Sequence, residues 1–99
     1  MGRSIPVDLG VVTFNSKTAA RDFFQAMLHR YAVGDRVSSE DQTPLSELLK
    51  RHPDAPQKIG VGIDHFEVLS ADFATQCFHV FRTDGTFEDF SFHTCVDQR

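Results

Sequence analysis

Apolar residues recur along this chain with two different periods. From Lys17 to Tyr31 they form two adjacent rows of four-residue spacing, which places them on one stripe of an amphipathic helix. The rows are Ala19, Phe23, Met27 and Tyr31 beside Ala20, Phe24 and Leu28. From Gly60 onward the period is two, which is the alternation of β-strands. The pattern predicts a long helix in the first half and strands in the second half.

The long helix has recognisable flanking residues on both sides. Pro6 opens a β-rich stretch from Val7 to Phe14, which predicts the first strand. Asn15 or Ser16 then supplies an N-cap. Gly34 stands where a helix C-terminus favours a residue that can adopt positive φ. We therefore expect a strand followed directly by a helix.

A second, shorter helix is predicted after a polar loop at residues 35–42. Thr43-Pro44 is typical of an N-cap followed by proline at the first helical position. The helix should end at Arg51-His52, because a residue before proline is disfavoured in the α conformation. Pro53 through Pro56 is predicted to be an irregular turn. The residues of this helix that should face inward are Leu45, Leu48 and Leu49.

Three strands are predicted in the second half, at Ile63–Leu69, Gln76–Arg82 and Thr86–His93. Asp84-Gly85 between the last two strands is a strong hairpin signal. The predicted order is therefore β-α-α-β-β-β. Consecutive strands joined by short links usually pair, so we expect an α+β fold in which an antiparallel sheet has both helices packed on one face.

The last hairpin has a definite register if it closes around Thr83-Asp84-Gly85. His79 would then lie opposite Asp89 on the face away from the helices. A two-residue turn would instead pair Cys77 with Phe92 and bury Glu88 beside Phe81, which is costly without a partner. We therefore predict the first register. The residues that should share its helix-covered face are Phe78, Val80, Phe90 and Phe92.

The composition fits a single globular domain that spans residues 1–99. Its ten phenylalanines should dominate the core, because each ring can bury roughly 150–250 Å². The net charge is −4, and residues 51–99 carry four basic and eight acidic residues. Affinity for nucleic acid in general comes from neutralising phosphates, so any RNA contact by this chain must use a local basic cluster.

Nothing in the sequence indicates a membrane protein or an exported one. The longest run without charge or proline, Leu9 to Ser16, is far shorter than the roughly 20 residues that span a bilayer. The first six residues lack the apolar core of a signal peptide. Two cysteines are too few for a secreted disulfide framework. We expect a cytoplasmic protein with reduced thiols and no membrane partner.

An ordered series of short motifs resembles the plant "defective chloroplasts and leaves" (DCL) domain family. The motifs are His52-Pro53, Lys58-Ile59-Gly60-Val61-Gly62-Ile63, Cys77-Phe78, Arg82-Thr83-Asp84-Gly85-Thr86, and Asp89-Phe90-Ser91-Phe92 with Cys95 after it. The resemblance covers nearly the whole chain and implies a bacterial-type, stand-alone member. It also implies a link to RNA, since the family is associated with chloroplast ribosomal RNA maturation and with the tail of a plant RNA polymerase largest subunit. It brings no catalytic residues, and Thr94 replaces a lysine of the plant pattern.

Cys77-x-His79 and His93-x-Cys95 lie on neighbouring predicted strands and offer the side chains that bind zinc. In the predicted register His79 lies opposite a residue four positions from His93, a separation of roughly 13 Å. Zinc ligands bond the metal at about 2.0–2.3 Å, so these four side chains cannot converge on one ion. The same offset excludes a disulfide, which needs Cα atoms within about 7 Å. We expect no metal and no cofactor.

Acid–base candidates are present in composition only. Asp64 and His65 are adjacent on a strand and therefore face opposite sides. His79 and Asp89 are more typical of a cross-strand pair that contributes about 0.2–1 kcal/mol. No serine or cysteine lies in a GxSxG turn. Gly60-Val61-Gly62 precedes a strand rather than a helix, so we interpret it as a tight entry into the sheet and not as a phosphate loop.

A local basic cluster is the best candidate for a binding site. Lys50, Arg51, His52 and Lys58 gather within nine residues, and Arg82 joins them from the hairpin. Basic residues in a last helical turn also complement the helix dipole, by about 0.3–1 kcal/mol each, and this explains Lys50 and Arg51 equally well. Lys58 lies outside that turn.

The first functional hypothesis is a non-catalytic binding module whose partner is RNA or a protein of an RNA-handling assembly. It rests mainly on the family resemblance. The alternative is a protein-interaction domain without nucleic-acid contact, which the net acidity favours. A small hydrolase is the third hypothesis, and it requires a pocket with perturbed titratable groups.

Overall fold

The computed structural model describes residues 6–71 and 75–97. Two short strands form a small antiparallel hairpin, and three longer strands form an antiparallel sheet in sequence order. The predicted α+β class is therefore confirmed. The elements in chain order are β1 (Val7–Asp8), β2 (Thr13–Phe14), α1 (Lys17–His29), α2 (Ser39–Leu49), α3 (Ala55–Ile59), β3 (Ile63–Ala71), β4 (Thr75–Arg82), β5 (Phe87–Phe90) and α4 (Phe92–Asp97).

The hydrophobic core lies between the helices and one face of the three-stranded sheet. The sheet contributes Phe66, Val68, Phe78, Val80 and Phe90, all buried. They share a cluster with residues of α1 and α2 that include Phe24, Leu28, Leu45, Leu48 and Leu49. Both predicted helices therefore cover the same face of the sheet, and no helix in the described part of the chain covers the opposite face, which we call the open face.

The β4–β5 hairpin has the predicted register. Thr83, Asp84 and Gly85 lie between Arg82 and Thr86, and the Arg82 N–H donates to the Thr86 carbonyl at 2.8 Å. Phe78 lies opposite Phe90, and His79 lies opposite Asp89. Phe78 is buried while Cys77 is only partly buried, which is the pattern of accessibility that separates this register from the two-residue turn.

Helix α1 begins as predicted. Ser16 is its N-cap, and the Ser16 hydroxyl accepts a hydrogen bond from the Ala19 N–H at 3.1 Å. The predicted stripe faces the core, where Ala20, Phe24, Met27 and Leu28 are buried, while Phe23 is only partly buried at the rim of the core.

The end of α1 differs from the prediction. The helix ends at His29, and Gly34 is not its C-terminal glycine. Gly34 has φ 97° in the next turn and donates its N–H to the Val68 carbonyl at 2.7 Å. The side-chain amide of Gln76 in β4 donates to the carbonyls of Leu28 at 2.8 Å and Tyr31 at 2.9 Å. This tertiary contact satisfies carbonyls that a glycine cap would otherwise serve.

The predicted first strand, Val7 to Phe14, is instead two strands joined by a turn. The Asp8 carboxylate accepts a hydrogen bond from the Gly10 N–H at 2.8 Å, and Gly10 has φ 83°. An aspartate that bonds the backbone two residues on favours a turn over an extended strand. The prediction was wrong because this turn signal is embedded in a β-rich stretch.

Helix α2 begins at Ser39, before Thr43-Pro44, and so replaces residues 39–42 of the loop predicted at residues 35–42. Ser38 is its N-cap, and the Ser38 hydroxyl accepts from the Asp41 N–H at 3.2 Å. The proline lies inside the helix, where it cannot donate to the carbonyl of Glu40. Glu40 is exposed, so water can take that bond. The serine cap therefore outweighs the Thr-Pro signal.

Two short helices are absent from the predicted order. The turn predicted at Pro53 through Pro56 contains the start of α3, with Asp54 as N-cap and Pro56 in the first turn. The strand predicted to extend to His93 stops at Phe90, and α4 follows it. The Ser91 hydroxyl accepts from the Thr94 N–H at 3.4 Å, as an N-cap does.

The residues of α4 explain why it replaces the end of the predicted strand. Phe92, Cys95 and Val96 are buried with the spacing of a helix. Phe92 thus belongs to the core, as predicted, but from a helix. None of the helices in the described parts of the chain has both the length and the apolar composition that a bilayer span requires.

Candidate functional site

Three residues of the predicted basic cluster converge between α3 and the β4–β5 hairpin. The Lys58 ammonium donates to the Asp89 backbone carbonyl at 2.9 Å and lies 3.4 Å from the Glu88 carboxylate. The Arg82 guanidinium donates to the Lys58 carbonyl at 2.7 Å and to Glu88 at 3.2 Å. Their side chains are only 16% and 14% exposed, respectively. Both cations therefore hold α3 against the hairpin.

Gly60 leaves the room that the Arg82 side chain occupies. A Cβ at Gly60 would lie 2.9 Å from the Arg82 Cδ, and Gly60 has φ 54°. Gly62 also has a positive φ, 130°, and a register irregularity follows between Ile63 and His65. These conformations agree with the interpretation of Gly60-Val61-Gly62 as a tight entry into the sheet.

His52 lies close to this group. Its Nδ1 accepts a hydrogen bond from the Asp54 N–H at 2.9 Å. Burial lowers the pKa of the His52 imidazole below its usual value, and the charge of Lys58 acts in the same direction. The structure thus brings His52, Lys58 and Arg82 together, as the sequence predicted.

Arg51 and Lys50 face other partners. The Arg51 guanidinium donates to the carbonyls of Cys95 at 3.0 Å and Val96 at 3.2 Å, which lie near the C-terminal end of α4. Lys50 pairs with Glu47 at 2.7 Å and remains exposed. The binding role of the five residues remains a prediction, and Lys50 is the one whose charge is most available.

The open face of the three-stranded sheet is the second candidate surface. It is the face opposite the core, and the alternation of side chains along the strands defines it. Its residues are His65, Glu67 and Leu69 of β3, Cys77, His79 and Phe81 of β4, and Phe87 and Asp89 of β5.

Three rings form a continuous stack across the open face, which we call the ring row: His65, Phe81 and Phe87. Phe81 is in the middle, with its centroid 4.6 Å from that of His65 and 4.7 Å from that of Phe87. The ring planes differ by only 15° and 12°. Phe87 ends the row on the outer strand β5 and is 52% exposed. An exposed aromatic ring that continues a row of partly buried rings can mark a binding face.

An acidic row lies beside the ring row, two residues along the strands. In the strand register His79 lies opposite Glu67 on one side and opposite Asp89 on the other. The two nitrogens of His65 lie 2.5 Å from an Asp64 carboxylate oxygen and 2.7 Å from a Glu67 oxygen. The side chains of Asp64 and His65 therefore meet, contrary to the prediction that they face opposite sides, and the register irregularity between Ile63 and His65 interrupts the alternation there. The open face therefore combines planar rings with carboxylates. The sequence predicted that His79 and Asp89 lie on this face, but it did not predict the ring row. The alternation placed these residues on one face, but the β3–β4 register that aligns the rings was not predicted.

A cavity of about 560 Å³ opens at the end of the sheet near α1, and its lining includes His29, Cys77, Asp89 and His93. Burial, followed by the charge of Asp89, raises the pKa of the Cys77 thiol. A raised pKa reduces the thiolate fraction and makes the thiol a poorer nucleophile. Among residues 6–71 and 75–97, no cluster of at least three His, Cys, Asp or Glu side chains is placed to hold a metal ion.

A family model described as "Protein of unknown function (DUF3223)" matches residues 25–96. DNA-directed RNA polymerase IV subunit 1 of Arabidopsis thaliana is 33% identical over 98 residues, which cover 96% of this chain and 7% of that protein. Protein DCL, chloroplastic, of Solanum lycopersicum is 40% identical over 79 residues, which cover 75% of this chain and 35% of that protein. The chain thus spans well under half the length of these curated relatives.

A solved structure has the same fold. The solution NMR structure of an uncharacterized protein from Rhodospirillum rubrum superposes with a TM-score of 0.87 and 48% sequence identity. The match covers 96% of this chain and 91% of that one.

Proposed function

The chain belongs to the family described as "Protein of unknown function (DUF3223)", and from that membership we propose that it is a non-catalytic binding domain that works within an RNA-handling assembly. The membership, together with the relative named Protein DCL, confirms the resemblance to the DCL family. A relative that is named as a subunit of a DNA-directed RNA polymerase supports the RNA-handling part of the proposal.

The ring row is the observation that carries the binding part of the proposal. Phe87 is exposed beside two other stacked rings on a sheet face that α1 and α2 do not cover. A small domain gains nothing in stability by leaving an aromatic ring in water, because burial of apolar area contributes roughly 25 cal/mol per Å². A partner that covers Phe87 would recover this contribution.

Copurification tests the proposed function. The tagged full chain is expressed in its own organism, and bound proteins are identified before and after nuclease treatment. We expect RNA polymerase subunits or ribosome-assembly proteins to be enriched with the parent protein and lost with Phe87→Ala. Val61→Ala is the matched control, since Val61 is 66% exposed and lies outside the open face. Equal recovery with Phe87→Ala, or no enrichment of RNA-handling proteins, would contradict the proposal.

Direct RNA contact by Lys50, Arg51, His52, Lys58 and Arg82 is a second candidate function. The convergence of His52, Lys58 and Arg82 favours it. Because the net charge is −4, few phosphates could be engaged. We expect a log–log salt slope of about −2 to −3, given roughly −0.7 per phosphate for single strands.

Binding to structured ribosomal RNA fragments, single-stranded RNA and duplex DNA near physiological salt tests this second candidate. Lys50→Ala should weaken binding to all RNA sequences alike, and Lys17→Ala on α1 is the control of equal charge. Lys58→Ala should act in the same way, but it also removes a bond to the hairpin, so its fold must be verified. The candidate is lost if no nucleic acid binds more tightly than about 100 μM.

A further inference from the structure

We propose that the open face binds an arginine of a basic protein segment, with the guanidinium stacked on Phe87 and hydrogen-bonded to Asp89. This inference rests on the proposed function and names the class of partner. It is carried by the position of Phe87 at the end of the ring row and by the carboxylates around it.

The ring row ends in a free aromatic face. One side of Phe87 stacks on Phe81, and its nearest other ring is His79 at 6.2 Å with a tilt of 50°. β5 is the last strand of its sheet, so no described strand follows Phe87 in the direction of the row. A planar group could therefore continue the stack at the edge of the sheet.

The charges beside Phe87 select a cation. Asp89 lies two residues further along β5 on the same face, a separation of about 6.6–6.8 Å between Cα atoms. The Asp89 side chain is exposed, and no described Lys, Arg or His forms an ion pair with its carboxylate. Glu67 on the open face and Asp64 next to it add two more carboxylates, which both contact His65, and Asp64 also lies 3.8 Å from the Arg36 guanidinium. Phosphates of RNA would be repelled by the same groups.

The nearest internal cations do not serve Asp89. Arg82 is held by Glu88, Thr86 and the Lys58 carbonyl. Lys58 reaches Asp89 only at its backbone oxygen, and its ion pair is with Glu88. The Asp89 carboxylate is thus available to an external donor.

Arginine fits this surface better than lysine. Its guanidinium is planar and stacks on an aromatic face within about 6 Å of the ring centroid, while its fork of N–H groups can still bond a carboxylate. The lysine ammonium offers charge without a plane. An arginine could therefore stack on the Phe87 ring and donate hydrogen bonds to the Asp89 carboxylate at the same time.

A titration of the isotope-labelled protein, followed by backbone amide chemical shifts, tests the inference. One probe is a short peptide of alternating Arg, Gly and Ser, the second is the same peptide with Lys for Arg, and the third is oligouridine. We expect the arginine peptide to shift the amides of β5 and to bind more tightly than the lysine peptide. Phe87→Ala and Asp89→Asn should each weaken that binding about two- to fivefold, the range for an exposed cation–π contact.

Two variants away from the open face serve as controls. Val61→Ala removes exposed apolar area, and Asp22→Asn removes an exposed charge on α1. Both should bind the arginine peptide as the parent does. In each variant without peptide, amide shifts that change only close to the substituted residue verify that the fold is intact.

Each other outcome overturns the inference. Equal binding of the arginine and lysine peptides would mean that the surface attracts positive charge in general and does not recognise the guanidinium. Oligouridine shifting β5 when the arginine peptide does not would make RNA the partner, and the proposed function would stand. If no probe shifts β5 while copurification still depends on Phe87, the partner class is wrong and the binding role survives. If copurification fails as well, the proposed function fails too.

Discussion

At the scale of single residues, the hydrogen bond to His52 makes a prediction about pH. The Nδ1 atom can accept from the Asp54 N–H only when it carries no proton. Burial, then Lys58, lowers the pKa of His52 below 6.5 in the folded protein. The unfolded chain therefore takes up the proton first as the pH falls. Stability present above pH 6.5 should decrease as the pH drops from 6.5 through the folded pKa.

An NMR titration of the His52 ring measures this directly. We expect a midpoint below 6.5. His52→Asn, which keeps an acceptor but does not titrate, should flatten this part of the stability profile measured by thermal melts. A midpoint at or above 6.5 in the parent protein would contradict the expectation.

The two cysteines should differ in reactivity. Burial raises the pKa of the Cys95 thiol to about 12, although Arg51 and Lys58 act in the opposite direction. Cys77 also has a raised pKa but is only partly buried. Because the thiolate is the reactive form, iodoacetamide at pH 8 should label Cys77 first and Cys95 only after unfolding in urea. Mass spectrometry of the peptides measures both rates, and equal labelling of the native protein would disprove the expected order.

At the scale of elements, α1 makes a prediction from its two apolar rows. Phe24 is fully buried, whereas Phe23 is only partly buried at the edge of the core. Phe24→Ala should therefore reduce the free energy of unfolding by about 3–5 kcal/mol, and Phe23→Ala by less. Urea unfolding of both variants measures the difference. If Phe23→Ala costs as much as Phe24→Ala, then Phe23 contributes more to the core than its exposure indicates.

Elements with an unambiguous pattern were predictable from the sequence. The stripe of α1 and the Asp84-Gly85 turn needed only local spacing, and the turn also determined which residues of β4 and β5 are buried. Helix α2 was misplaced because two start signals compete, and Ser38 prevails over Thr43-Pro44. The predicted end of the last strand was wrong because Phe92 would be buried in a strand as well as in a helix. Its burial therefore does not distinguish a continued strand from the start of α4.

The candidate sites differ in how much the sequence could predict. The predicted hairpin was enough to place Arg82 near Lys58. Their bonds to Glu88 and to the backbone could not be predicted, because they depend on how α3 packs. The ring row depends on two registers at once, because Phe81 must face His65 on one side and Phe87 on the other. Only the second register carried a local signal.

At the scale of the whole molecule, the excess acidic residues of the second half of the sequence lie close together on the folded protein. Residues 51–99 carry twice as many acidic as basic residues. Four of those carboxylates, on Asp64, Glu67, Asp84 and Asp89, lie on the open face or on the turn and strand residues next to it. Two basic side chains of the same half, Arg51 and Arg82, instead donate hydrogen bonds to backbone carbonyls within the fold. This distribution makes the open face acidic.

The shared core makes a last prediction, about how the molecule unfolds. The small β1–β2 hairpin contributes Val7 and Phe14 to the same hydrophobic cluster as the three-stranded sheet, so neither sheet has a separate core. Domains of this size with one core usually unfold in a single step. Tyr31, the single tyrosine of a chain without tryptophan, joins α1 to α2 through a 2.6 Å hydrogen bond to Asp41.

Two probes test this cooperativity in one urea titration. Tyr31 fluorescence reports the junction of the helices, and far-ultraviolet circular dichroism reports all the secondary structure. We expect the two transitions to coincide in the parent protein, and Phe24→Ala to shift both by the same amount, because the residue packs against Phe14 of the small hairpin and Phe92 of α4. Phe87→Ala is the comparison variant, since its half-exposed ring lies outside the core and should shift both midpoints less. Separate transitions for the two probes would mean that the helical layer and the sheet unfold independently, in spite of the core that they share.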